Sequence, residues 1–500
     1  MFLILLVLLF SAYFLYQLKR RAQLPPGPVP LHLLGNLPQF GYYTWKEGGV
    51  VNGLRAFQKE YGDVFTIWLG PVPTVHICTI ELAHELMVKQ GNNFADRWAP
   101  FMFQYLREGK GIIVSNGDYW QEQRRFTLQT LRNFGVGRNL IEERIMMEVD
   151  LRCNELDNEI KSSGGVIDPR KFTDLLIGSI INRLLFSVRF TEDNQGEFFH
   201  LKHKLDKVTA DVNFSDMFIN EWLIKLPYFK QRYESIALPT NDLLKFVEKQ
   251  VDERLTAVSK GEHIITDDGT DYVDAYLKKI EDEKDNPNTT FTKESLLINL
   301  LDLWDAGQET TTTTLLWGFT MLLNHPEIEN KIREEIHSVT QQSRSLSLKD
   351  KSRTPYLNAA VHEIQRHASI LNINLFRQVR EKTTIGDYII EPGVPITAEL
   401  SLIMSDEKNF KNTDQFHPER FIETERLEQS MIPFGIGKRA CPGESLARAE
   451  LYLILGNLIA KYKFSPDGKT PNMKSSNSSA MFQVPDSFSM RVQPFSSDDL

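Results

Sequence analysis

The chain has 500 residues, of which 41% are hydrophobic and 25% are charged, a balance typical of a folded globular protein. Its formal net charge is −9, which argues against nucleic acid as the main partner, because binding phosphates requires a basic face. With only three cysteines, the chain can form at most one disulfide and cannot supply the thiolates of an iron–sulfur cluster or a cysteine-rich zinc site.

The N-terminal segment predicts a membrane anchor. Residues 1–18 contain no charged side chain, and three basic residues follow at positions 19–21. A cleaved signal peptide carries its positive charge before the apolar run and ends in small residues, so we interpret residues 1–18 as a transmembrane anchor with a cytosolic body behind it. Residues 19–30 form a basic and proline-rich hinge. Residues 31–500 contain no long linker or repeat, which predicts a single domain.

The first part of the body combines strand and helix patterns. Alternating residues around a Gly-Pro turn predict a β-hairpin over residues 63–79, with Cys78 as a structural strand residue. A charged amphipathic pattern predicts a helix over residues 139–160, in which Cys153 packs against its neighbours. The mixture of aromatic residues and lysines over residues 198–227 indicates mobile helices that could cover a pocket.

Residues 296–326 predict a long, mostly apolar and central helix, which is interrupted by the sequence Ala-Gly-Gln-Glu-Thr-Thr. Glycine and β-branched threonines are poor helix formers, and the hydroxyl of Thr310 can bond the carbonyl oxygen of Ala306, four residues back. We therefore expect a local distortion of the helix here. Glu309 and Thr310 place an acid and an alcohol side by side, and burying both is costly unless they have a role.

A near match to a zinc-protease motif follows further along the chain. That motif needs histidines four residues apart, whereas His362 and His367 are five apart and lie about 140° around a helix. These two histidines cannot easily share a metal ion. Glu363 and Arg366 are three residues apart and share one face of the predicted helix.

The sequence FGIGKRACPG, residues 434–443, surrounds Cys441. Pro442 suits the first turn of the helical run that follows, so we expect Cys441 at a helix N-terminus, where unpaired N–H groups and the helix dipole favour a thiolate. The stretch GIGKRA also fits a loose dinucleotide-binding pattern, but that pattern needs a strand before it and a βαβ unit after it. We therefore interpret the loop as a site for a metal-bound thiolate.

The pattern F-x-x-G-x-R-x-C-x-G in this loop resembles the haem-binding loop of cytochrome P450 enzymes, and it is formed by Phe434, Gly437, Arg439, Cys441 and Gly443. Other motifs of that family occur in its usual order: the proline-rich hinge, W-x-x-x-R, the Gly-Glu-Thr interruption, E-x-x-R and PERF. The ordered set is similar to animal microsomal members, family 2-like in pattern. The resemblance implies a mainly α fold with a small β lobe, preceded by the transmembrane anchor.

The resemblance also implies a role for each matching residue. Cys441 would be the axial ligand of the iron of haem b, in a loop shaped by Phe434 and Gly437. The residues that would hold the haem propionates are Arg97, Trp120, Arg124, Arg377 and Arg439. Those that would deliver protons to iron-bound oxygen are Glu309 and Thr310. A buried ion-pair set behind the loop would contain Glu363, Arg366 and Arg420.

The activity implied is that of a monooxygenase, which inserts one atom of O2 into an apolar small molecule by hydroxylation or epoxidation. Electrons would come from NADPH through the membrane-bound NADPH–cytochrome P450 reductase, with cytochrome b5 as a further candidate partner, at the cytosolic face of the endoplasmic reticulum. Candidate reductase contacts on a locally basic face are Arg125, Lys411 and Lys438. Three alternatives stay open: an isomerase or dehydratase of the same fold, a non-catalytic haem sensor, and an anchored interaction protein without haem.

Three further features follow from this interpretation. Asn372 stands where the family often has proline, and the loop over residues 478–489 is expected to return toward the pocket. Asn213, Asn288 and Asn477 each begin an N-x-S/T triplet, and a cytosolic body predicts that all three are unmodified.

Overall fold

The structure is a computed structural model, and it describes residues 16–17, 19–135, 139–191, 193–212, 216–217, 219–266 and 269–495. The predicted anchor over residues 1–18 lies outside the described residues, apart from positions 16 and 17, and so does Asn213. Within the described ranges, no helix is both long enough and apolar enough to cross a membrane.

The described chain is mainly α-helical. Its α-helices are, in chain order, α1 (Leu37–Lys46), α2 (Val50–Tyr61), α3 (Ile80–His84), α4 (Phe101–Arg107), α5 (Gly117–Asn133), α6 (Asn139–Ser163), α7 (Pro169–Phe186), α8 (Gln195–Asp211), α9 (Pro227–Ser259), α10 (Tyr272–Asp282), α11 (Lys293–Asn324), α12 (Pro326–Thr340), α13 (Pro355–Ala368), α14 (Leu400–Ile403), α15 (Arg420–Glu423) and α16 (Glu444–Lys461). The predicted helix over 139–160 corresponds to α6. The segment 198–227, predicted as mobile helices, contains α8 up to Asp211 and reaches the start of α9 at Pro227.

The strands are short. They are β1 (Val64–Leu69), β2 (Val72–Ile77), β3 (Asp96–Arg97), β4 (Val166–Ile167), β5 (Arg377–Gln378), β6 (Thr383–Ile385), β7 (Tyr388–Ile390), β8 (Pro395–Ala398), β9 (Tyr462–Pro466) and β10 (Met490–Pro494). The largest sheet has the strand order β1-β2-β8-β5-β3, in which only β2 and β8 run parallel. This sheet joins the N-terminal strands to strands from the second half of the chain, and the mainly α fold with small sheets agrees with the prediction.

The predicted hairpin is present as β1 and β2, which pair antiparallel from Val64 opposite Ile77 to Leu69 opposite Val72. Cys78 lies one residue beyond β2, so its assignment as a strand residue was wrong by one position. Its backbone N–H donates to the carbonyl oxygen of Asp63 at 2.9 Å, which closes the pair of strands.

Helix α11 is central to the larger apolar core, because it packs against α7, α9, α13 and α16. The predicted distortion is not found, since α11 is α-helical throughout its length. Thr310 Oγ1 donates to the carbonyl oxygen of Ala306 at 2.7 Å, and Thr314 Oγ1 donates to that of Thr310 at 2.8 Å. The hydroxyl groups add hydrogen bonds to carbonyl oxygens without displacing the helical N–H groups, so the helix continues through them.

A buried ion-pair set joins α13 to α15. Glu363 accepts from Arg366 Nε at 2.7 Å and from Arg366 Nη2 at 2.9 Å, and Arg420 Nε reaches the same carboxylate at 3.1 Å. The backbone N–H of His417 also donates to Glu363 at 3.0 Å. All three charged side chains are buried. The Glu363 carboxylate, together with backbone carbonyl oxygens such as those of Met404 and Lys411, replaces water around the two guanidinium groups.

This set makes a prediction about stability. Replacing Glu363 by alanine leaves two buried guanidinium groups without their carboxylate, and we expect the free energy of unfolding to fall by about 3–5 kcal/mol. The control is Glu391→Ala, which removes an exposed partner 3.0 Å from Lys382 and should cost at most about 1 kcal/mol. Urea denaturation measures both. Equal losses in the two variants would contradict a stabilising role for the buried set.

Candidate active site

A cavity of about 280 Å³ lies between α11 and the cysteine loop. Helix α11 lines one wall with positions that recur every three or four residues, which places them on one helical face. They are Asp302, Leu303, Ala306, Gly307, Thr310, Thr311 and Thr314. The cysteine loop and the start of α16 line the other wall, mainly with Phe434, Gly435, Arg439, Cys441, Pro442, Gly443 and Leu446.

The backbone of the cysteine loop is closed by a hydrogen bond from the N–H of Cys441 to the carbonyl oxygen of Phe434 at 2.9 Å. Gly437 has φ +73°, and a Cβ atom there would lie only 1.9 Å from the carbonyl oxygen of Met87. Any other residue would therefore be strained in conformation and would also clash with the backbone. These constraints fix Cys441 at the edge of the cavity, shortly before α16 begins at Glu444.

The electrostatics of Cys441 differ from the expectation that the helix N-terminus alone would favour a thiolate. Cys441 is exposed to the cavity, but the protein packed around it raises the pKa of its thiol above the ordinary value by desolvation. The N–H groups of Gly443 and Glu444 and the guanidinium of Arg124 act to lower that pKa without reversing the rise. A thiolate here needs a further positive charge, which a coordinated metal ion supplies.

The predicted arginines meet beside this loop. Arg97 on β3 and Arg377 on β5 are opposite one another in register, Arg124 lies on α5, and Arg439 belongs to the loop itself. Each donates to backbone carbonyl oxygens, for example Arg97 Nη1 to Leu375 at 2.6 Å. Among the described residues none of the four forms an ion pair with a carboxylate, and the nearby Asp96 is paired with Arg380 at 2.6 Å.

Burial and neighbouring positive charge make three of the four guanidinium groups easier to deprotonate. Burial, and to a smaller extent the neighbouring guanidinium groups, together lower the pKa of Arg439 to about 9 and that of Arg377 to about 10. Burial and the same neighbours also lower the pKa of Arg97. Positive charge is therefore concentrated in a buried region, and no carboxylate of the described residues forms an ion pair with it.

Several buried donors in this region have no acceptor: Trp120 Nε1, Arg377 Nε and Nη1, and Arg439 Nη1. The Arg439 guanidinium lies 3.6 Å from the centre of the Trp120 ring. Buried polar groups in proteins are normally hydrogen-bonded, so unpaired donors beside four cations fit an anionic group with several oxygen atoms. The two carboxylates of haem match that requirement, and Cys441 lies at the same cavity to bind the iron.

Glu309 and Thr310 are neighbours in sequence but point to different surroundings. Thr310 lines the cavity, whereas Glu309 lies outside the lining residues and is buried. Its Oε1 is 2.8 Å from Nζ of Lys202 on α8, in a close ion contact rather than a hydrogen bond. Sequence analysis missed Lys202. Its spacing of four residues from Asp206 on one helix face was the available signal.

Two further acids of the cavity wall were also missed. Asp302 on α11 accepts from Arg107 Nε at 2.7 Å and from the backbone N–H of Ile112 at 2.8 Å. Glu450 on α16 accepts from Thr311 Oγ1 at 3.2 Å, and burial raises the pKa of Glu450 to about 8. The charge of Asp302 is therefore balanced by Arg107, and the raised pKa of Glu450 favours its neutral, protonated form. Neither residue adds an unpaired negative charge to the cavity.

The loop over residues 478–489 reaches the cavity wall as expected. Phe482 forms a β-bridge with Leu371, a lining residue, and the N–H of Gln483 donates to the carbonyl oxygen of Ile370 at 2.8 Å. Asn372, at the position where the family often has proline, donates through Nδ2 to the carbonyl oxygen of Ala480 at 2.9 Å. The side chain of Asn372 thus connects this wall of the cavity to the C-terminal loop by a hydrogen bond.

Comparison with known proteins identifies the family to which the chain belongs. The family model described as Cytochrome P450 matches residues 25–491. The chain is 38% identical over 492 residues to the probable cytochrome P450 cyp-35D1 of Caenorhabditis elegans, covering 97% of this chain and 98% of the relative. It is 35% identical over 451 residues to cytochrome P450 2C23 of Rattus norvegicus (89% and 88% covered) and 33% identical over 451 residues to cytochrome P450 2B2 of the same species (89% of each).

The fold and the cysteine loop thus define a haem-thiolate protein. The chain belongs to the cytochrome P450 family, and its similarity to relatives named 2C23 and 2B2 agrees with the family 2-like pattern. It is accordingly a monooxygenase, an oxidoreductase that binds haem b and uses electrons derived from NADPH.

The geometry of the loop makes a prediction. Gly437→Ala combines an unfavourable positive φ with a clash against Met87, so we expect a larger loss of stability than the about 1–2 kcal/mol of the conformation alone. Gly468→Ala is the control, because Gly468 has φ +83° but a Cβ atom added there would meet no other atom within 4 Å. Thermal unfolding and the haem absorbance of the purified protein measure the effect. A loss for Gly437→Ala no greater than that for Gly468→Ala would contradict the close packing of the loop on Met87.

Proposed function

We propose that the enzyme hydroxylates or epoxidises an apolar small molecule, with O2 as co-substrate and electrons delivered by NADPH–cytochrome P450 reductase. The observation that carries this proposal is a single cavity with Cys441 on one wall and Thr310 on another. Apolar side chains dominate the remaining lining, for example Ile112, Leu184 and Leu371. Burial of a ligand's hydrocarbon surface against them would supply most of its affinity.

The haem would be held from two directions. Cys441 would bind the haem iron through its thiolate, within a loop shaped by Phe434 and Gly437. The propionates would accept hydrogen bonds from a set of donors that have buried N–H groups or positive charge to offer: Arg97, Trp120, Arg124, Arg377 and Arg439. When bound, the haem supplies the activation of O2 and the oxidation of the substrate.

The chain's own residues position protons near this reaction. The Thr310 hydroxyl donates to the carbonyl oxygen of Ala306 at 2.7 Å, which leaves its lone pairs free to accept a proton donor inside the cavity. Glu309 is the adjacent acid, and it would provide the proton that Thr310 passes on. The Arg107–Asp302 pair, at 2.7 Å, keeps the cavity wall electrically neutral, which suits an uncharged substrate.

We place the protein at the cytosolic face of the endoplasmic reticulum membrane, held by an anchor over residues 1–18 and a hinge over residues 19–30. The reductase would approach the side of the protein that carries Arg125, Lys411 and Lys438, all of which are exposed. A basic face of this kind favours encounter with an acidic partner surface. Cytochrome b5 would use the same face.

The haem assignment can be tested with the absorption band of the reduced, CO-treated protein. Cys441→Ser should abolish the red-shifted Soret band of a thiolate-ligated haem, because a serine hydroxyl cannot replace the thiolate. Cys153→Ser is the control, since Cys153 is buried in α6, and it should retain the band. A normal band in Cys441→Ser would reject Cys441 as the ligand. Turnover of substrate without NADPH would favour the isomerase or dehydratase alternative.

The proposed topology makes a separate prediction about the N-x-S/T triplets. Asn288 is exposed and Asn477 is partly exposed, so both would be accessible to the glycosylation enzymes if the body were luminal. We expect neither to carry a glycan when the full chain is expressed in animal cells. Mass spectrometry of the peptides around these two residues provides the measurement. A glycan on either residue would reverse the proposed orientation.

A further inference from the structure

A buried acid and a buried base meet where β2 lies beside β8. His76 belongs to β2, and its Nδ1 is 2.5 Å from Oε1 of Glu399, which directly follows β8. Both side chains are 0% exposed, and both lie outside the residues that line the cavity. The backbone N–H of Glu399 donates to the carbonyl oxygen of Ile77 at 2.8 Å, so main chain and side chains join the same two strands. We refer to His76 and Glu399 as the buried pair.

The hydrogen bonds around the buried pair determine how many protons it holds. The hydroxyl of Thr74 donates its only hydrogen to the carbonyl oxygen of Ile67 at 2.8 Å, so its oxygen accepts from Nε2 of His76, also at 2.8 Å. A second hydrogen then has to lie between Nδ1 and Glu399, because a nitrogen lone pair and a carboxylate would repel each other at 2.5 Å. The buried pair is therefore electrically neutral, whether that proton lies on the imidazole or on the carboxyl group.

The surroundings oppose the loss of this proton. Oε2 of Glu399 is buried and has no hydrogen-bond partner among the described residues, so an ionised carboxylate beside a neutral histidine would be poorly stabilised. Burial raises the pKa of Glu399, and the hydrogen bond and positive charge of His76 act against that rise. The His76 ring stacks on Phe65 at 5.2 Å between ring centres and meets the edge of Phe376 at 5.8 Å. Neither aromatic ring carries a charge that could replace the proton.

The other titratable groups around the buried pair do not supply a compensating positive charge. Cys78 follows β2, and burial, then Glu399 and Asp63, raise the pKa of its thiol, so the thiol stays neutral. Arg55 on α2 donates to a serine hydroxyl, and Arg377 on β5 donates to a carbonyl oxygen of the cysteine loop. Within the described ranges, no lysine or arginine forms an ion pair with Glu399. The proton of the buried pair is thus its only source of positive charge.

The buried pair supports the strands that carry part of the haem site. Phe376 contacts the His76 ring and immediately precedes Arg377, which lies on β5 beside β8. On the other side, Glu399 immediately precedes Leu400, which lines the cavity. Separation of the two side chains would therefore loosen both the strand that carries Arg377 and a residue of the cavity wall.

We propose that His76 and Glu399 are positioning residues for the haem site, and that the proton they share stabilises the contact of β2 with β8 and so makes haem retention depend on pH. Opening of this contact exposes the pair to water, and the histidine then releases its proton to water around its ordinary pKa of about 6.5. Above that pH the closed sheet holds one proton more than the open sheet. Each further pH unit consequently shifts the equilibrium toward opening by up to about tenfold.

Glu399→Gln tests the proposal, because the glutamine amide can donate to Nδ1 of His76 and keep the hydrogen bond without binding a proton. The measurement is the rate at which the purified full chain transfers its haem to excess apomyoglobin, at intervals between about pH 6 and pH 9. Relative to Glu399→Gln, the rate of the unaltered protein should rise by up to about tenfold per pH unit above about pH 7. The midpoint of thermal unfolding, followed by haem absorbance, should diverge in the same direction.

Glu391→Gln is the matched control. Glu391 lies shortly before β8, but its side chain is 45% exposed and pairs with Lys382 at 3.0 Å, so this variant should keep the pH dependence of the unaltered protein. A pH dependence in Glu399→Gln equal to that of the control would overturn the proposal. Faster haem transfer by the same factor at every pH is one form of that result, and it would mean that the buried pair only supports the fold.

A double variant covers the case in which Glu399→Gln does not bind haem. His76→Phe combined with Glu399→Leu removes both titratable groups, and the new aromatic ring can stack on Phe65 as the imidazole does. Apolar residues of similar volume often replace a buried ion pair without loss of stability. We expect its haem transfer to lack the rise with pH that the unaltered protein shows. An equal rise in both proteins would contradict the proposal.

Discussion

Positive charge buried without a negative partner is the constraint on which the site depends. Four guanidinium groups from β3, β5, α5 and the cysteine loop converge, and each donates to backbone carbonyl oxygens rather than to a carboxylate. A protein that needed these arginines only for its fold would pair them, as Arg366 and Arg420 are paired with Glu363. The two groups of arginines therefore differ in role. Arg366 and Arg420 stabilise the core through Glu363, whereas the four arginines without a carboxylate partner fit a binding site for an anion.

The faces of helix α11 have different surroundings. One face places Thr310 in the cavity, and the adjacent position turns Glu309 toward α8 and Lys202. Consecutive residues of an α-helix point about 100° apart, and in α11 Thr310 faces the cavity whereas Glu309 faces Lys202. The surroundings of Glu309 are therefore as relevant to the chemistry as those of Thr310.

Sequence alone was sufficient for the features that depend on local patterns. The hairpin over 63–79, the long central helix and the cysteine loop were predicted because turn residues, hydrophobic runs and glycine positions mark them directly. Asp302, Glu450 and Lys202 were not predicted, because their environments come from contacts between helices distant in sequence. The expected distortion of α11 was wrong for a related reason. The threonine hydroxyl groups donate hydrogen bonds to carbonyl oxygens of the preceding turn, and the helical hydrogen bonds of the backbone remain in place.

The antiparallel pairing of β3 with β5 covers only two residues in each strand, and it places Arg97 opposite Arg377. Side chains opposite one another in a sheet lie close together, so the two like charges weaken the strand pair that positions them. An anionic group that binds to these arginines and neutralises them therefore also stabilises the pairing of the two strands. Closure of that edge of the sheet and occupation of the site are consequently coupled equilibria.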